Sequence, residues 1–138
     1  MRLDLIAASL SRSFRWGDWE RLIRSNGVHI DRPFASTHPA HPDIRYPLDY
    51  GYVRGASSND GDEVDVFVGK AHTGLVGLLV THDRRKDDHE LKLLFDCTPA
   101  DVYTAYGFAT FAPELMRAVH VLRHPMPELW KWTHGRAA

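Results

Sequence analysis

The sequence holds a single cysteine, Cys97, which excludes an internal disulfide and any paired-cysteine zinc site. It has no apolar run near the ~20 residues that cross a bilayer. It has no surplus of positive charge either. Its 17 Lys and Arg stand against 18 Asp and Glu, for a formal net charge of -1, so it lacks the broad basic field that drives nucleic-acid binding. Internal repeats and low-complexity segments are missing. So are a Gly-rich phosphate loop, a nucleophile elbow and a dinucleotide fingerprint, which leaves metal ions as the route to any phosphate chemistry. The start of the chain is a poor secretion signal, because Asp4 interrupts its apolar part and basic and aromatic residues follow. A reducing, cytoplasmic setting fits.

What is present suits one domain over residues 1–138, large enough for a real core, with 43% hydrophobic and 25% charged residues. Residues 1–25 read as helix in two pieces. Leu3, Ile6, Ala7 and Leu10 share one face, and Trp19, Leu22 and Ile23 share another. Gly17-Asp18 marks the break, with Asp18 as cap of the second piece. Asn26-Gly27 also suits a hairpin turn, but the spacing of Glu20 to Arg24 favours helix followed by a strand at Val28–Arg32. Pro33, Pro39, Pro42 and Pro47 then exclude helix and central strand, which predicts a long loop. Strands are expected at Tyr50–Arg54, at 64–68 where Val64, Val66 and Val68 alternate, at 75–81 and at 89–96. Thr98-Pro99 opens a helix running to Tyr106, and Ala118–Leu122 reads as a last strand. Residues 28–122 thus carry the strands and 124–138 form an unassigned tail. The expected fold is mainly β with helical additions (α+β), built on a small five-stranded OB-type barrel.

The chemistry concentrates in Asp60-Gly61-Asp62-Glu63-Val64-Asp65-Val66. Asp60, Asp62 and Asp65 repel one another unless cations sit between them. Mg²⁺ takes oxygen ligands and reaches proteins through a few carboxylates plus phosphate and water. Asp65 is the most telling, since a mid-strand carboxylate between valines is costly to bury unpaired. Asp83, Asp87, Asp88 and Glu90 follow on the next hairpin. If the two hairpins are neighbours, both acid sets meet at one mouth.

A second group is cationic and phenolic: Arg32, Arg45, Lys92, Tyr46, Tyr50 and Tyr52. Arginine grips phosphate as a fork and lysine as a mobile point charge. Lys92 lies two residues beyond Glu90, so both point to one strand face. His38 and His41 in the proline loop lack zinc-site spacing, and His38 suits a phosphate contact better than a metal. Cys97 reads as a buried inert thiol.

These residues together resemble the soluble family I inorganic pyrophosphatases. Asp60 to Val66 matches that family's acidic signature, and Tyr46-Pro47-Leu48-Asp49-Tyr50-Gly51-Tyr52 matches the tyrosine motif before it. Asp31-Arg32 resembles an upstream Asp-Arg pair, and Glu90-Leu91-Lys92 an Asp-x-Lys with Glu in place of Asp. The resemblance implies an OB-type barrel and a Mg²⁺ cofactor, with Mn²⁺ an alternative. It implies metal binding by Asp60, Asp65, Asp83 (or Asp88) and Glu90. It implies proton acceptance by Asp62, and phosphate binding by Arg32, Tyr50 and Lys92. The partner would be pyrophosphate, with no nucleic acid and no membrane, and a homo-oligomer is compatible. Departures accompany it. The chain is shorter than typical members. No Lys-x-Glu pair precedes Arg32, although Glu20 is available as its acid. A C-terminal Tyr-Lys pair has no clear counterpart in Tyr103, Tyr106 or Lys131. Fewer cations leave a tetra-anionic pyrophosphate less neutralised, so two other functions stand beside its hydrolysis. One is a binding or regulatory module with weak turnover, and the other is hydrolysis of a nucleotide or other phosphoanhydride.

Overall fold

The computed structural model describes residues 2–57 and 61–135. The elements run α1 (Leu3–Ser13), α2 (Trp16–Asn26), β1 (Val28–Arg32), β2 (Asp49–Ser57), β3 (Glu63–Val68), β4 (Leu75–Asp83), β5 (Asp88–Phe95), α3 (Pro99–Ala109), β6 (Met116–Leu122) and α4 (Met126–Trp130). A π-helical turn, Lys131–Gly135, extends α4 into the region expected as an unassigned tail.

Helices α1 and α2 form where the apolar spacing predicts, but the break between them falls at Phe14-Arg15, ahead of Gly17-Asp18. Aromatic packing sets it. Phe14 turns inward against Trp16 at 4.6 Å and stacks on Trp19 at 6.1 Å. Asp18 lies inside the first turn of α2, paired with Arg15 and Arg21, where its charge suits the helix dipole. Gly27 ends α2 with φ at 79°, a conformation that favours glycine, and Val28 then starts β1. Helix α3 begins at Pro99 behind a capping box in which Thr98 and Asp101 exchange hydrogen bonds.

Strand order across the sheet is β1-β2-β3-β5-β4-β6, antiparallel except where β3 runs parallel to β5. The expectation of a closed five-stranded barrel is corrected. Among the described residues the sheet has six strands and is open, with β1 and β6 as its edges. Residues Leu75 to Thr81 are buried on both faces, so β4 needs a neighbour on each side. β5 supplies one and β6 the other, pairing from Gly77↔Leu122 to Asp83↔Met116.

Two apolar layers flank the sheet. Val53, Val64, Val66, Leu78, Val80, Leu93 and Val121 face α1 and α2, meeting Ala7 and Ile23. Phe67, Leu79 and Leu94 face the other way, against Val102 and Ala105 of α3 and Leu129 of α4. Truncating a fully buried leucine such as Leu79 or Leu94 to alanine costs roughly 2–5 kcal/mol. The proline loop is ordered by a small ladder of its own. Thr37 bridges Arg45, and the Tyr46 and His38 amides donate to Ser36 and Ile44 carbonyls. Tyr46 anchors this loop to α3, with its ring 4.9 Å from Phe108. Gly51 keeps β1 and β2 close, because a Cβ there would collide with the His29 carbonyl. None of the described helices is long and apolar enough to cross a membrane.

Candidate functional site

Strand alternation and register bring three side chains together. Asp65 on β3 lies opposite Lys92 on β5, and Tyr50 on β2 is one step away, opposite Phe67. All three point from the sheet face that also packs against α3. The Tyr50 hydroxyl donates to Asp65 Oδ2 at 2.6 Å. Lys92 Nζ donates to the same Oδ2 at 2.9 Å, to the Tyr50 oxygen at 2.9 Å and to Glu90 Oε2 at 3.3 Å. An ammonium has three donors, and here all three meet side chains from three strands, β2, β3 and β5. The Lys92 side chain is 11% exposed and that of Asp65 27%, so the pair is shielded yet reachable.

Electrostatics follow from that packing. Burial works against the Lys92 charge, but the Tyr50 oxygen, Asp65 and Glu90 around it outweigh burial and raise its pKa. Burial raises the Tyr50 phenol as well, so it stays protonated and donates. Tyr46 continues the phenolic wall, 5.3 Å from Tyr50. Burial raises its phenol, while the positive charge of Arg32 opposes the rise. His38 stacks on Tyr46 at 5.9 Å and accepts the Ala40 amide on Nδ1. Burial, with the charges of His41 and Arg32, lowers its pKa, so its imidazole is neutral near pH 7. Arg32 thus lies at the Tyr46 and His38 end of the wall, opposite Tyr50 in the β1–β2 register.

A cleft of about 430 Å³ opens towards α1 and α2; Asp65 and Glu90 of this cluster line it, and Tyr50 and Lys92 do not. The β3–β5 ladder begins at Asp65↔Lys92, and the residues just before it on the two strands have no rung joining them. The cleft lies in that gap. Asp62, Glu63, Asp65 and Glu90 line its mouth, and apolar residues line its wall towards α1 and α2.

Of the residues singled out in the sequence, the structure gathers Tyr50, Asp65, Lys92 and Glu90 by direct contact, with Asp62 at the same mouth. Asp60 lies outside the described residues. Asp83 is set apart at the β4–β5 turn, where Oδ1 accepts the Arg85 and Lys86 amides at 3.0 and 3.3 Å. Asp88, its alternative, pairs with it in register at the same turn. Glu20 does not serve the mouth. It accepts the Leu75 amide and pairs with Arg123 at 3.0 Å, at the opposite end of β4. Tyr103 is exposed, and Tyr106 packs on His120. Cys97 is fully buried, with its thiol pKa raised by burial, as an inert thiol should be. The apolar cleft wall escaped the sequence reading. Ile6, Phe14 and Trp19 carry only a core-face signal, and nothing local says that they stop short of filling the space over Leu91 and Leu93.

Fold and site together define an α+β sheet protein with an acid, phenol and lysine cluster at the end of a parallel strand pair. The fold is similar to the crystal structure of an inorganic phosphatase from Anaplasma phagocytophilum. The TM-score is 0.53 at 17% identity, covering 75% of this chain and 88% of that one. It is also similar to the inorganic pyrophosphatase of Helicobacter pylori, with a TM-score of 0.48, 18% identity and 81% of each chain covered. A third is the inorganic pyrophosphatase of Thermus thermophilus, with a TM-score of 0.43, 16% identity, and 79% of this chain and 87% of that one covered. No protein-family model and no curated protein matches the sequence.

Proposed function

We propose that the protein hydrolyses inorganic pyrophosphate to two phosphates with the help of a divalent cation. The observation that carries this reading is the contact set of Tyr50, Asp65, Lys92 and Glu90 at the start of the β3–β5 ladder. A buried lysine that shares its three donors among a phenol and two carboxylates is poised to trade one of them for a phosphate oxygen. Glu90 is the most exposed of the three partners and accepts the longest bond, so it is the one exchanged. A fold shared with an inorganic phosphatase is compatible with this reading and does not by itself assign it.

The donor set has the chemistry of a hard-cation site, since Asp62, Asp65 and Glu90 offer carboxylate oxygens to one mouth. Among the described residues, no three carboxylate, imidazole or thiol side chains are already grouped as a metal cage. Asp60, Asp65 and Glu90 are the residues assigned to hold Mg²⁺, or Mn²⁺ in its place, while Asp83, engaged with the Arg85 and Lys86 amides at the β4–β5 turn, is left out of that set. Such an ion supplies a water of lowered pKa and offsets phosphate charge. The protein's own share is positioning and proton handling. Asp62 accepts the proton of the attacking water. Lys92 and Arg32 stabilise charge on the departing phosphate, Arg32 as a planar fork and Lys92 as a point charge. Tyr50, held protonated, donates to whichever anion faces it.

The test is phosphate release from pyrophosphate with Mg²⁺, for the wild type and Asp65→Asn. Equal rates remove the site. A second reading, a binding module with weak turnover, is favoured by the missing cations, since no Lys-x-Glu pair precedes Arg32 and a C-terminal Tyr-Lys pair has no clear counterpart. Calorimetry separates the two, because a binder retains affinity for pyrophosphate with Mg²⁺ and releases no phosphate.

A further inference from the structure

His38 and Tyr46 sit on opposite arms of the small ladder in the proline loop, one step either side of the Thr37↔Arg45 bridge. Both rings therefore leave the ladder on one face. They lie parallel, with centroids 5.9 Å apart and 1° between their planes. Tyr50 is 5.3 Å from the same Tyr46 ring, and Lys92 Nζ is 5.5 Å from the centre of the Tyr50 ring. Burial raises the Tyr46 phenol, and the charges of Arg32 and Lys92 both oppose it. Tyr46 thus stands within the field of both cations assigned to phosphate. His38, half-buried over Tyr46, feels the Arg32 charge as well.

The tautomer of His38 follows from its one internal bond. The Ala40 amide donates to Nδ1 at 3.1 Å, so Nδ1 presents a lone pair and the proton of the neutral ring sits on Nε2. Among the described residues no group accepts that proton. His82 differs, because its Nε2 meets Asp87 at 2.8 Å. The His38 ring is held at two points, by Ala40 and by Tyr46, and so offers a positioned N–H. A metal ion would need the Nε2 lone pair instead. The proton would have to move to Nδ1, breaking the Ala40 bond, and the ion would sit near the Arg32 charge. An oxyanion meets neither obstacle. The guanidinium supplies charge to it and the imidazole N–H supplies direction.

We propose that His38 is a substrate-binding residue, whose Nε2–H donates to an oxygen of the phosphate that Arg32 holds. This role rests on the phosphate reading given under Proposed function. It makes the proline loop, tied to α3 through Tyr46 and Phe108, a part of the site and not a mere connector.

The experiment is calorimetric titration of the full chain with methylenediphosphonate and Mg²⁺, for wild type, His38→Gln and His38→Phe. Phenylalanine keeps a ring on Tyr46 but has no donor. Glutamine keeps an N–H at a reach similar to Nε2. Both lose the Nδ1 acceptor, so the difference between them reads the donor. Affinity is expected to fall about tenfold in His38→Phe, the loss of one hydrogen bond to a charged group, and to return to within about threefold of wild type in His38→Gln. Wild-type ¹⁵N spectra give a second readout, which decides the matter should the variants fail to fold. The His38 Nε2–H signal is expected to move when methylenediphosphonate is added. Equal affinity in all three proteins, with that signal unmoved, overturns the role of His38 and leaves the phosphate reading standing. An equal loss in both variants, with the signal unmoved, makes His38 a loop anchor and also overturns the proposal. Failure of the wild type to bind methylenediphosphonate overturns the phosphate reading and the His38 contact with it.

Discussion

Two carboxylates, Glu20 and Asp65, each meet a cation brought from a distant strand, at nearly the same distance. Arg123 Nη1 is 3.0 Å from Glu20, and Lys92 Nζ is 2.9 Å from Asp65. Their side chains are equally shielded, 25% and 27% exposed, so neither length nor burial separates them. The partners do. Glu20 accepts the Leu75 amide, and its arginine also donates to the Leu75 carbonyl, so backbone holds the pair and α2 is tied to β4. Asp65 meets a phenol and an ammonium, both on side chains that can exchange partners, and the ammonium reaches on to Glu90. A pair pinned to backbone is frame. A pair built from exchangeable side chains at a cleft mouth is available for chemistry.

The sharpest break in this comparison is Asp65→Asn. Phosphate release is expected to fall by about 100-fold or more, in line with loss of a carboxylate that would hold the catalytic cation. Lys92 then keeps its charge without its nearest carboxylate, so the variant also loses roughly 3 kcal/mol of stability. Turnover corrected for folded fraction separates the two effects. Glu20→Gln is the matched control. It is expected to cost about 1–3 kcal/mol through the Arg123 and Leu75 bonds and to leave turnover per folded molecule unchanged, read from a urea midpoint beside an assay. Reduced turnover there would mean that the frame pair also serves the mouth.

Acid titration sharpens the same contrast. Burial pushes the Glu20 carboxyl up, but the Leu75 amide and the Arg123 and Arg24 charges outweigh it and leave the pKa lowered. A group depressed in the folded state stabilises above its unfolded value, here 4.5, and that stability is lost as pH falls through the lower folded value. Urea midpoints below pH 4.5 are therefore expected to fall more steeply for wild type than for Glu20→Gln. The smallest effect is expected from Asp83→Ala. Loss of its two turn bonds costs about 1 kcal/mol. Unchanged turnover per folded molecule makes Asp83 a turn anchor, whereas a large drop returns it to the metal set.

Much of this was legible in the chain. The α1 and α2 faces, the Thr98-Pro99 helix start and the strands of Val64 to Val68 and Leu75 to Thr81 follow from periodicity and caps, which are local. Asp65 stood out because a carboxylate between valines must find a partner. The edge role of β6 was not legible, since Ala118 to Leu122 reads the same whether it closes a barrel or borders an open sheet. Nor was the separation of Glu20 from the mouth, because an acid on a helix carries no mark of which end of the sheet it will reach.

By itself the sequence determined the chemistry on offer: carboxylates, phenols and cations at alternating strand positions, with no cysteine pair or phosphate loop to compete. Tertiary structure decided who meets whom. The pairing of β3 with β5, strands that do not follow each other in the chain, sets Asp65 against Lys92 and opens the cleft where their ladder begins. The physical reason is range. Periodicity and capping act over a few residues, whereas strand order is fixed by burial of a whole sheet between two helical layers, a sum that no short stretch of sequence contains.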